Sequence, residues 1–156
     1  MDKVRVLAEL LDTLNMELRG AIAASEDAAE YAKDKEARAE SQWDTQGLEA
    51  SYLAAGQASQ ARQWAQSIET LEKHRNELLS PKSEAGIGAL VICDLDGSNE
   101  HFFLAPAAGG QIISLDGTEI TVVTPQSPIA TRILGKGKGH GFKLANGAPG
   151  SIIDIK

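Results

Sequence analysis

The chain has 156 residues, a formal net charge of −7 and a single cysteine, Cys93, which excludes an intrachain disulfide and any zinc site built from several cysteines. The acidic balance argues against wrapping around nucleic acid, because that binding depends on neutralising phosphates with Lys and Arg. No run approaches the ~18–20 consecutive apolar residues of a membrane span, and residues 1–5 lead into an amphipathic pattern without the apolar core of a signal peptide, so a cytoplasmic protein with no membrane partner is expected.

All five prolines and twelve of the fifteen glycines fall from residue 81 onward, so residues 1–80 suit long helices and the remainder suits short strands and turns. From Val4 the apolar residues step through Leu7, Leu11, Leu14, Leu18, Ala21, Ala28 and Ala32, close to the alternating three- and four-residue spacing of a coiled-coil seam. Leu10, Met16 and Ile22 widen the stripe at first, but beyond Ser25 it shrinks to alanine between charged flanks. A second run, Ala61, Trp64, Ile68, Leu71, Arg75 and Leu78, keeps the same spacing and is preceded by Leu48, Tyr52 and Ala55 on a less regular stripe. If the two runs fold back on each other, residues 4–18 face residues 78–64. Ser41, Asp44 and Thr45 are good N-caps and Gly47 tolerates turn geometry, so the reversal is expected within residues 39–47. A helix of roughly 35 residues spans about 50 Å, more than a small core requires, which suits a reaching device or a dimerisation rod.

Residues 26–49 carry eight acids (Glu26, Asp27, Glu30, Asp34, Glu36, Glu40, Asp44 and Glu49) against Lys33, Lys35 and Arg38, so most of the excess charge gathers near the expected turn. An acidic run in a long helix is ordinarily a solvated face. Trp43 has little core to enter at a charged turn, and it would either cap the hairpin end or touch a partner.

After a linker at residues 81–86, residues 87–156 read as a β-rich domain. Strands are predicted at 88–93, 101–105, 111–114, 119–124 and 151–155, with turn signals at Asp96-Gly97, Gly109-Gly110, Asp116-Gly117 and Asn146-Gly147. One short helix is predicted from Ser127 as cap and Pro128 at the first helical position to Gly135 as terminator. The expected core is Leu90, Ile92, Phe103, Ile113, Val122, Ile133, Leu134 and Ile153, with Cys93 as a small buried strand residue. Residues 125–143 hold Arg132, Lys136, Lys138, Lys143 and His140 and no acid. The glycines of residues 135–141 lack the spacing and strand–loop–helix context of a phosphate-binding loop, so a flexible basic loop is expected there. His74, His101 and His140 form no nucleophile-and-base pattern, and the chain itself is not expected to be an enzyme.

A helical hairpin, a short linker, strands, and then Ser127-Pro128-x-Ala130-x-x-Ile133-Leu134-Gly135-Lys136 before a closing strand resemble the Gre family of bacterial transcript cleavage factors. The resemblance implies an α+β fold: a long N-terminal antiparallel coiled-coil hairpin over 1–80, followed by a small FKBP-like β-rich domain with one short helix. It also implies a partner, core RNA polymerase, with RNA and DNA met only through it. The globular domain would dock at the secondary channel through Ser127, Pro128, Arg132, Ile133, Leu134, Lys136 and Lys138. The hairpin would enter the channel so that tip carboxylates, Asp44 with Glu49 or Glu40, and Trp43 beside them, reach a catalytic Mg²⁺ shared with the polymerase. The free protein would hold no metal and would be a monomer. The tip departs from the family pattern Asp-Leu-Ser-Glu-Asn-Ala-Glu-Tyr. Here Trp43-Asp44-Thr45-Gln46-Gly47-Leu48-Glu49-Ala50-Ser51-Tyr52 places Asp44 one position from the first acid when the tyrosines are matched. Two other readings are an FKBP-like chaperone or peptidyl-prolyl isomerase module, which the scarcity of aromatic residues disfavours, and a coiled-coil interaction protein.

Overall fold

The computed structural model describes residues 1–37 and 46–156, and the fold is α+β. Two long helices, α1 (Lys3–Ala37) and α2 (Gln46–Lys73), form a hairpin, followed by a one-turn helix α3 (Arg75–Leu79). Then come β1 (Leu90–Leu95), β2 (Ser98–Leu104), β3 (Ile112–Leu115), β4 (Thr118–Val123), the short helix α4 (Pro128–Ile133), β5 (Gly141–Lys143) and β6 (Pro149–Ile155). The chain divides into two compact units, one of residues 13–68 and one of residues 1–12 with 69–156. Among the described residues, no helix is long and apolar enough to cross a membrane.

Within the helical unit, Leu14, Ala21, Ala28 and Ala32 of α1 are buried, with Leu18 and Ser25 half-buried between them, so the seam keeps its expected spacing. Ser25 Oγ donates to the Ala54 carbonyl across the pair at 3.2 Å. The face that α2 contributes differs from the expected one. Gly47 and Ala50 are buried and Ala54, Ala58, Ala61, Trp64 and Ile68 are half-buried, whereas Leu48, Tyr52 and Ala55 point outward. An alanine seam brings two backbones close, and the larger Leu48 and Tyr52 do not fit it. The reversal expected at 39–47 falls mainly on residues outside those described. Helix α2 also ends earlier than the apolar run suggested: it stops at Lys73, and His74 separates it from α3.

The other unit is built on a six-stranded sheet in the order β3-β4-β2-β1-β6-β5, antiparallel except where β2 lies parallel to β4. Both Asp-Gly signals are two-residue hairpin turns. Asp96 and Gly97 have φ of 55° and 89°, and Asp116 and Gly117 have 53° and 80°. Positive φ at both central residues matches the right-handed twist of the flanking strands, and Asp and Gly reach it at least cost. Ser127 caps α4, its Oγ accepting from the Ala130 amide at 3.3 Å, and Pro128 opens the helix.

Alternation along the strands gives the sheet two apolar faces. One holds Val91, Cys93, Phe102, Leu104, Val123 and Ile152, covered by Ala130 and Ile133 of α4. Burial pushes the Cys93 thiol up to about 11. The other face holds Leu90, Phe103, Ile113, Leu115, Ile120 and Val122, all buried. The first turns of α1 belong to this side: Lys3 Nζ donates to the Gly88 carbonyl at the entry to β1 at 2.8 Å, and Arg5 grips Asp116 in the β3–β4 turn through two bonds of 2.7 and 2.9 Å. Val6, Leu7, Leu10, Leu71 and Leu78, all fully buried, supply helical apolar surface to the unit.

Three expectations fail here for identifiable reasons. Ile153 is not core, because β6 carries a bulge: Ile92 pairs with Asp154 and Cys93 with Ile152, so Ile153 is left over and Ile152 turns inward. Ile92 and Leu134 are only half-buried. The segment after α4 is not a free loop. The Gly135 amide donates to the Ala85 carbonyl, the Ala85 amide donates to the Lys136 carbonyl, the Gly139 amide donates to the Ile152 carbonyl, and residues 141–143 form the unpredicted strand β5 against β6.

Gly88 passes so close to α3 that an added Cβ would meet the Glu77 carbonyl oxygen at 2.4 Å and Leu78 Cα at 2.9 Å, and its φ is +87°. Gly88→Ala is therefore expected to cost more than about 2 kcal/mol in urea unfolding, against about 1 kcal/mol for Gly97→Ala, where only the positive φ opposes the side chain. Cys93 is expected to resist thiol reagents at pH 8 in the folded protein and to react at the rate of global opening, as timed labelling with an aromatic disulfide would show.

Candidate functional site

Two surfaces carry the residues expected to function, and they are built differently. The first is on the helical unit. Glu26, Asp27 and Glu30 stand exposed on α1, and Glu49 stands exposed in the first turn of α2, where the partial positive charge of a helix N-terminus favours an acid. Glu40, Trp43 and Asp44 lie outside the described residues. Among the described residues, no group of three or more His, Cys, Asp or Glu is arranged to hold a metal ion.

This surface has a feature the sequence did not suggest. Asp27, Ala24, Ala28 and Tyr31 of α1 and Glu49, Ala50 and Leu53 of α2 line a groove of about 600 Å³. Its floor is the alanine seam, and larger side chains from each helix rise beside it. Tyr31 is half exposed, and Lys35 Nζ lies 5.5 Å from its ring centroid, a cation–π contact. The sequence signal was present in the alanines themselves: a seam without large residues, flanked by Tyr31 and Leu53, leaves a notch that neither helix fills.

The second surface belongs to α4 and the segment after it. Ile133 is fully buried and Leu134 is half-buried against the same core, so both seat α4 on the sheet. Ser127 is occupied with capping, and its carbonyl accepts from the Thr131 amide at 3.0 Å. The outward side chains are those of Pro128, Arg132, Lys136 and Lys138. Arg132 Nη1 donates to the Lys143 carbonyl, which directs the guanidinium toward β5. Lys138 Nζ stands 3.5 Å from Asp154 Oδ1 and remains largely exposed. The main chain of residues 135–139 is fixed by Ala85 and Ile152, so these cations stand on an ordered platform.

No family model matches the sequence, and no curated protein matches it. Among solved structures, the chain is similar to GreA factor homolog 1 of Thermus thermophilus, at 17% identity over 94% of both chains with a TM-score of 0.36. The Thermus aquaticus homolog of that name matches at 14% identity over 92% of both chains, with a TM-score of 0.35. A third structure, described as the transcription factor of the same name, matches at 15% identity over 93% of this chain and 92% of that one, with a TM-score of 0.37. Identities and TM-scores this low leave the fold to be described from its own geometry.

Because Ser127 acts as a cap, Ser127→Ala is expected to lower stability by about 1 kcal/mol. Arg132→Ala is expected to change it by less than about 0.5 kcal/mol, a surface effect. Paired denaturant titrations measure both.

Proposed function

We propose that this chain is a non-enzymatic, cytoplasmic factor of the Gre type that binds core RNA polymerase and places its helical hairpin in the secondary channel. There it would act on elongation and pausing, or on cleavage of backtracked RNA. The observation that carries this reading is the hairpin: two helices of 35 and 28 residues whose seam narrows to alanine and glycine over residues 21–32 and 47–61 while their flanks expose carboxylates. A small-residue seam keeps a helix pair narrow, and an acidic surface disfavours direct binding of nucleic acid. The Ser127-to-Lys136 segment, whose sequence first suggested the family, supports the same reading as a capped helix followed by exposed cations.

Mg²⁺ prefers carboxylate and water oxygens, and an ion already held by the polymerase needs only one or two more. Asp44, with Glu40 or Glu49, would supply them, and the ion would polarise the phosphate under attack and activate water. Arg132, Lys136 and Lys138 would meet acids at the channel rim. Their role would be electrostatic positioning, which is sensitive to salt.

Pull-down with core RNA polymerase at low salt is the direct test, and absence of any association there would sink the proposal. Charge reversal at Arg132, Lys136 and Lys138 is expected to weaken binding about ten-fold at low salt and less at high salt. In stalled complexes, Asp44→Ala is expected to retain binding. Loss of RNA cleavage in that variant marks a stimulator of cleavage, whereas a wild-type chain that changes pausing without cleaving marks a channel occupant.

A further inference from the structure

The groove between α1 and α2 is unfilled and has a definite chemistry. Its floor is Ala24, Ala28 and Ala50, its apolar walls are Tyr31 and Leu53, and Asp27 and Glu49 place a carboxylate on each helix. Asp27 and Tyr31 also line an adjoining cavity of about 580 Å³ with Glu30, Lys33 and Asp34. Tyr31 is 49% exposed and Leu53 57%. These two large apolar side chains stand exposed at the groove, one on each helix. Among the described residues, Asp27, Glu30 and Glu49 have no ion-pair partner.

We infer that this groove is a docking site for an amphipathic helix of a protein partner, one that presents Leu-, Ile- or Met-type side chains flanked by Lys or Arg. A third helix laid along a helix pair packs its ridges into the groove between them at 8–10 Å, and the alanine floor permits that approach. Tyr31 and Leu53 would clasp the apolar stripe from opposite sides, while Asp27 and Glu49 would meet the flanking cations. The same carboxylates repel a phosphate backbone and the anionic surface of a membrane, so neither nucleic acid nor lipid matches the site. The inference deepens the polymerase reading by giving the hairpin flank a recognition chemistry of its own, separate from any carboxylate work at Asp44.

The probe is a fluorescent synthetic helix of leucine and lysine, with leucine at i, i+3, i+4 and i+7, and its leucine–glutamate counterpart is the control. Fluorescence anisotropy with the full chain is expected to show binding of the lysine helix and none of the glutamate helix. The double variant Tyr31→Ser/Leu53→Ser alters only side chains at least half exposed, or nearly so, and circular dichroism would check that its helices remain. It is expected to bind about ten-fold more weakly, and the difference is expected to persist in 0.5 M salt, on the order of the concentration that screens exposed charge within several ångströms. Glu17→Gln, an exposed acid outside the groove, is expected to leave binding unchanged. Equal binding by the double variant would overturn the inference, since charge alone would then be attracting the probe. So would light scattering that shows a wild-type dimer lost in that variant, because the occupant would then be a second copy of the chain.

Core polymerase provides the separating measurement. If wild type binds polymerase and the double variant binds it equally well, the groove inference fails while the polymerase proposal stands. If wild type ignores polymerase but takes the lysine helix in a Tyr31- and Leu53-dependent way, the reverse holds.

Discussion

The Lys3 ammonium lies between the carbonyls of Ser80 and Gly88, and through it the start of α1, the end of α3 and the entry to β1 are held at one point. This is an unusual resident for a protein interior: a side chain only 9% exposed whose partners are carbonyl dipoles rather than a carboxylate. Burial, with Lys82 adding like charge, moves its pKa below the ordinary lysine range. Desolvating a cation costs several kcal/mol, which directed carbonyl bonds recover only when the geometry is held, so the contact selects one arrangement of the three segments. The tight passage of Gly88 against Glu77 and Leu78 is the steric counterpart of the same constraint. Arg5, in the first turns of α1, grips Asp116, whose pKa that pairing lowers.

From this point the two faces of the sheet acquire different duties. The face bearing Phe103 and Leu90 lies on the side where α1 is anchored. The face bearing Cys93 and Ile152 carries α4, and α4 in turn presents Arg132 while the segment behind it presents Lys136 and Lys138. The residues proposed to meet a partner sit on the outer surface of elements whose inner surface is committed to the core. The charge arrangement follows the same division, with acids on the helix pair and cations beyond α4.

Features governed by chemistry within a few residues were legible in the sequence. Asp96-Gly97 and Asp116-Gly117 demand positive φ, and Ser127-Pro128 caps and opens a helix wherever the chain is polar before and apolar after. The α1 seam was legible too, because a long periodic run constrains its own phase. What failed depended on a partner segment. Leu48 and Tyr52 looked more suitable for a seam than Gly47 and Ala50, yet the opposing alanines of α1 set the spacing and excluded them. Ile153 gave way to Ile152 because a bulge, invisible in a single strand, shifted the alternation. Strand β5 is three residues long, too short to show a period, and exists because β6 offers it an edge. At the candidate sites, the cations expected to stand outward are exposed, and Ile133, expected both in the core and among the docking residues, is fully buried on the inward side of α4. The groove went unseen because it is a property of two helices together.

The bulge and the short strands also bear on how the sheet ends. Strand β3 has four residues and β5 has three, one of them glycine and another lysine, so each flank of the sheet offers only a brief row of unpaired amides and carbonyls. Another chain seeking to extend the sheet would gain few main-chain bonds before running past either border. Growth by strand addition is thereby discouraged, and the borders of the sheet offer a second chain little backbone to pair with.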